Sequence, residues 1–117
     1  MIEELVAHVF ALRNAAHLAH WATKSYSQHQ ALGTLYDGLI DKIDMIVETY
    51  QGAFGLIGDV KIVVMPKGSI TEIVLKELNW IDKNREKIAE KSTMLENLID
   101  DLMQLYSTTH YKLVNLS

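Results

Sequence analysis

Four side chains raise the chemical question in this chain: His20, His29, Asp44 and Glu48. The stretch HWATKSYSQH has a histidine at each end, and Asp44 and Glu48 follow the second by 15 and 19 residues. Two imidazoles and two carboxylates make a mixed nitrogen and oxygen donor set. Such a set suits a borderline divalent metal, iron in the first place, with zinc or manganese as alternatives. The opposing reading is an ordinary turn between helices. A histidine at a helix end caps or hydrogen-bonds, and an Asp and a Glu four apart are solvated or paired with lysine. Spacing alone leaves both open.

The elements that must position these groups read as helices. Ile2, Leu5, Val9, Leu12, Ala16 and Ala19 form one apolar stripe at helical spacing, which predicts a helix over 2–21. A short polar link follows, of the length that joins antiparallel helices. Leu32, Leu35, Leu39, Ile43, Ile46 and Tyr50 repeat the period over 28–51. Gly33 and Gly38 lie inside that helix, where each costs up to about 1 kcal/mol against Ala, so close approach of a neighbouring helix is expected there. Gly52, Gly55 and Gly58 break the pattern, and the β-prone run Val60–Met65 reads as a short strand or an extended crossover within 52–69. Ser69-x-x-Glu72 and Thr93-x-x-Glu96 read as capping boxes that open helices over 70–90 and 93–115. With no Gly or Pro between them, those two could also be one long helix. The pattern of hairpin, long crossover and hairpin predicts an all-α, ferritin-like four-helix bundle in a single domain, 1–117.

Composition bounds the function. The 117 residues are 49% apolar, enough for one core, and the formal net charge is −4 with scattered Lys and Arg. That gives no support for a surface that coats DNA. The absence of cysteine excludes disulfides and thiolate metal sites and fits a reducing cytosol. No apolar run approaches the roughly 20 residues of a membrane span. MIEELVAHVF carries acids where a signal peptide carries Lys or Arg, so a cytoplasmic protein is expected.

On a helical wheel, His29, Gly33, Ile40 and Asp44 fall within about 60° of arc, with Asp37 and Glu48 just beyond. The carboxylates sit at the edge of the apolar stripe, where a second helix or a second subunit could cover them, and Asp37 joins His20, His29, Asp44 and Glu48 as a candidate metal ligand. On the first helix His20 shares a side with Leu5 and Val9, with Arg13 and His17 close by.

From His20 to Glu48 the chain resembles the Dps mini-ferritins that protect DNA in starved bacteria. The resemblance rests on the pair His20-Trp21, on His29, and on Asp44 and Glu48 at their offsets. It implies a ferroxidase centre between two subunits, with carboxylates bridging two irons, histidines completing the coordination, and dioxygen or peroxide as oxidant. The chain departs from that family in its shorter link between the histidines and in Gly33, where an acidic residue is usual. It has no basic N-terminal tail, so DNA binding is not implied.

Residues 17–52 also resemble a family of small phage proteins, through His17, His20, Trp21, Thr23, Ser25, Tyr26, His29, Tyr36, Asp37, Asp44, Glu48, Tyr50, Gln51 and Gly52. That likeness implies a phage origin, hence the host cytoplasm, and a ferritin-like fold. It opens an alternative: a non-enzymatic protein that binds a small molecule, such as a nucleotide defence signal, or a host protein, to counter host defence. Arg13, His17, His20, Trp21, Lys24, Tyr26 and Tyr36 would then line a pocket, since cations pair with phosphates and aromatics stack on bases. Either reading expects a homo-oligomer, dimer or larger.

Elsewhere, Lys83, Arg85, Lys87 and Lys91 with Glu86 and Glu90 read as a solvated helix face. Trp80 reads as core or interface, His8 and His110 as structural or surface, and Tyr106 and Tyr111 as packing.

Overall fold

A computed structural model describes residues 1–65 and 67–117. Four helices carry the fold: α1 (Ile2–Ala22), α2 (Tyr26–Phe54), α3 (Ile70–Ala89) and α4 (Thr93–Asn115). Each helix packs on two neighbours, in the cyclic order α1, α2, α4, α3, so that α1 and α4 face each other diagonally, as do α2 and α3. The apolar stripes converge on one core. Leu5, Val9 and Leu12 meet Leu32, Leu35, Leu39 and Ile43, and the other pair adds Val74, Ile81, Ile99, Leu102 and Tyr106. Each such side chain stabilises the fold by roughly 1.5–3 kcal/mol through burial.

Local chemistry sets the breaks. Ser25 caps α2, its hydroxyl accepting the Gln28 N–H at 3.3 Å. Ser92, and not Thr93, caps α4 by accepting the Leu95 N–H at 3.3 Å, so the cap lies one residue earlier than the Thr93 pattern suggests. Ser69 stands at the N-cap of α3, but its side chain makes no capping bond. The third and fourth helices are separate. Glu90 and Lys91 both take positive φ, 48° and 67°, and turn the chain without glycine.

Inside α2, a β-carbon on Gly38 would stand 3.0 Å from Leu105 Cδ2, so the missing side chain lets α4 approach. Across the α3–α4 hairpin Arg85 is more than a solvated residue. Its guanidinium grips Asp100 with two bonds of 2.6 and 2.8 Å and reaches Glu96 at 2.7 Å.

The segment between α2 and α3 is extended, with no strand among the described residues. At its start the Gly58 N–H donates to Glu3 Oε2 at 2.8 Å, near the beginning of α1. At its end Met65 and Gly68 share a groove with Ala19 and Ala22, at the other end of α1. The crossover therefore runs the length of α1, and α2 and α3 point the same way. No helix among the described residues is long and apolar enough to cross a membrane.

Candidate functional site

The α1–α2 hairpin is closed by its two histidines. His20 stands in the last turn of α1, whose final carbonyls lack intrahelical partners. His29 Nδ1 lies 2.8 Å from the His20 carbonyl, and His20 Nδ1 lies 2.6 Å from the His29 carbonyl. A carbonyl oxygen only accepts, so Nδ1 carries the proton in both rings, and in the neutral ring Nε2 is left with its lone pair. The rings stack with centroids 3.6 Å apart and planes 17° from parallel. Gly33 makes this possible. A β-carbon there would stand 3.3 Å from His20 Cε1 and 3.4 Å from its Nδ1. An acidic side chain at 33 would contend with the ring for that space.

A ledge of rings continues from the pair. His17 stacks on Tyr36 at 4.0 Å and tilts against Trp21 at 4.4 Å. His20 meets the edge of Tyr36 at 5.2 Å, and the Arg13 guanidinium lies over the Tyr36 ring, 5.5 Å from its centroid. Of the side chains expected around a ligand, the fold thus gathers Arg13, His17, His20, Trp21 and Tyr36. Lys24 and Tyr26 are exposed at the hairpin, and Tyr26 bonds to Gln30. The rings of the ledge pack on one another, and the described cavities lie elsewhere.

The carboxylates stand apart. Asp37, Asp44 and Glu48 are exposed on α2. At 1.5 Å of rise per residue, Asp44 lies about 22 Å along the helix from His29. Among the described residues no three His, Asp or Glu side chains converge on a point that could hold a metal. Stacked imidazole planes also cannot aim both in-plane lone pairs at one ion. The donor set fits a metal only if a second chain supplies the acids, with each ring serving its own ion or one ring turning.

One polar cluster escapes sequence reasoning. His8 Nδ1 lies 2.8 Å from Oε1 of the buried Glu77, and the His8 ring stacks on Trp80 at 3.8 Å. His8 also borders a cavity of about 500 Å³ with Glu4 and Asp59. Nearby, the Tyr106 hydroxyl is fully buried and unpartnered among the described residues, and burial pushes its ionisation far up. The separation of 69 positions between His8 and Glu77 hides the pairing from any local pattern. The only hint is a Glu at 77 on the apolar side of α3.

No curated protein and no solved structure matches the chain. Residues 20–113 match a family described as a family of unknown function, DUF5856. The match opens at His20 and takes in His29, Asp44, Glu48, all of α2 and α3 and all but the last two residues of α4, so the chain belongs to that family.

Proposed function

We propose that the protein is a ferritin-like bundle that binds a divalent metal, iron foremost, between two copies of the chain. In each site one copy supplies His20 and His29, each ring serving its own ion, and the other copy supplies Asp44 and Glu48. The observation that carries this is the reciprocal lock, which leaves each Nε2 as the unprotonated nitrogen of a fixed ring. Imidazole nitrogens held by a bond at the other nitrogen are what metal sites use. An antiparallel pairing of α2 with its copy about Tyr36–Gly38 would set His29 opposite Asp44 and Glu48, twice by symmetry. Asp37 would then lie near the axis.

In such a site the histidines and carboxylates would orient and charge-balance the ion. Iron would supply one-electron chemistry with dioxygen or peroxide as acceptor, as substrate of a ferroxidase-type reaction. The chain has no cysteine thiol to be damaged by that chemistry. The test is metal content and Fe(II) oxidation on tag-free protein beside Glu48→Gln. Stoichiometric metal in the parent, lost in the variant, supports the reading. A folded parent that takes up neither iron nor zinc sinks it.

A second reading has one specific observation behind it. Trp21 is 68% exposed at the outer end of a ledge that also carries Arg13. An open indole beside a guanidinium can stack a base and pair a phosphate, or anchor a host protein. Nucleotide titration followed by Trp fluorescence checks this. A signal that Trp21→Phe leaves unchanged would exclude the ledge.

A further inference from the structure

The crossover is anchored on one side and open on the other. Ile57, Val60 and Met65 pack against the core. Leu56, Ile62 and Val64 are 87%, 70% and 90% exposed. From Asp59 to Met65 no backbone N–H or carbonyl finds a partner among the described residues. This is an extended, β-branched segment with a free edge, a template for another strand.

The sequence of the segment says which strand. Residues 56–64 read LIGDVKIVV, and they are self-complementary about Val60. In an antiparallel pairing centred there, Asp59 faces Lys61 of the other copy and Lys61 faces its Asp59. Leu56 then faces Val64, Ile57 faces Val63, and Gly58 faces Ile62. The two charges are exposed, and neither joins an ion pair among the described residues. An isologous contact requires a patch that complements itself, and this one does so in both charge and apolarity.

Gly58 spends its N–H on Glu3 of its own α1. In an antiparallel pairing centred on Val60, Asp59 and Lys61 of the two copies would exchange the paired hydrogen bonds, with Val60 facing Val60 in the non-bonded position.

We infer that the crossover is a homodimerisation strand, in which residues 56–64 of two copies pair antiparallel about Val60. The surface is distinct from the α2 face discussed above, and the inference does not rest on metal binding. A two-stranded ribbon is marginal alone, so the dimer is weak and concentration-dependent.

Sedimentation velocity over a concentration series of the full chain tests it. Asp59→Lys sets Lys against Lys twice, and Lys61→Asp sets Asp against Asp twice. Each is expected to weaken the dimer about tenfold or more. The double swap D59K/K61D restores the opposite charges, and dimerisation should return to near the parent. These positions are exposed, so the helical circular dichroism should not change. In the parent, the Asp59 and Lys61 amides should gain protection from hydrogen exchange as concentration rises. A parent that stays monomeric, or a dimer that ignores the single reversals, overturns the inference. So does a double swap that fails to restore association.

Discussion

His20 and His29 hold each other's backbone: each Nδ1 lies within 2.8 Å of the other residue's carbonyl oxygen, across rings stacked at 3.6 Å. The contact caps the end of α1, fixes two tautomers and closes the hairpin. A turn motif and a pair of prepared nitrogen donors are thus the same structure. The two readings left open by the spacing of these residues are not exclusive.

The lock is expected to be energetically coupled. Each ring contributes one hydrogen bond, about 1 kcal/mol, and the stack is shared, at about 0.5–1.5 kcal/mol. His20→Ala and His29→Ala should each destabilise the protein in urea. The double variant should cost less than the sum, because the stack is lost only once. Nitrogen NMR should find the Nδ1–H tautomer in both neutral rings. Protonation at Nε2 instead would contradict the lock.

The α3–α4 turn carries a cost that glycine would remove. Lys91 holds φ at 67° although its side chain disfavours that region. Lys91→Gly should raise stability by about 1 kcal/mol in urea unfolding. No gain, or a loss, would mean that Lys91 contributes a compensating contact.

Much of this was legible in the sequence, for reasons that can be named. The stripes of α1 and α2 repeat at helical spacing, and Leu5, Leu12, Leu32, Leu35 and Leu39 of the core all lie on them. The two glycines inside α2 pointed to close approach, and His20 and Leu105 are the groups that approach. The ledge was partly legible because Arg13, His17, His20 and Trp21 share one turn-by-turn face. What stayed hidden depends on distant partners. His8 meets Glu77 across the bundle, and Arg85 meets Asp100 across a hairpin. Ser92 was masked by a Thr beside it that fits the same cap pattern. Tyr111, read as packing, is 59% exposed because it falls on the outer face of α4.

Tyr106 should tolerate loss of its hydroxyl but not of its ring. The oxygen is buried without a partner, so Tyr106→Phe should be neutral or stabilising. Tyr106→Ala should cost about 3–5 kcal/mol by analogy with other buried aromatics. Thermal unfolding of both variants checks this. A marked loss in Tyr106→Phe would reveal a partner for the hydroxyl, such as an internal water.

Acid should weaken the α3–α4 hairpin. Hydrogen bonds from Arg85 hold the Asp100 carboxyl below its usual range. A carboxyl depressed in the folded state stabilises the fold above its unfolded pKa of about 3.9. That contribution is lost as pH falls through the lower folded value. The pair is partly exposed, so its contribution is at most about 1 kcal/mol. Asp100→Asn should lower stability at pH 7 and reduce the loss seen on going from pH 4 to pH 2. An unchanged pH profile would remove Asp100 from the account.

A metal site shared between copies can be rebuilt by mixing two defective variants. One chain carries His20→Ala and His29→Ala, the other Asp44→Asn and Glu48→Gln. Alone, neither should hold iron or zinc at stoichiometric levels. After mixing and subunit exchange, half of the dimers are mixed and each rebuilds one of its two sites, so about a quarter of the parent's binding should return. Recovery at that level would establish a site built from both copies. Failure of the mixture to bind while the parent does, or binding by either variant alone, would contradict it.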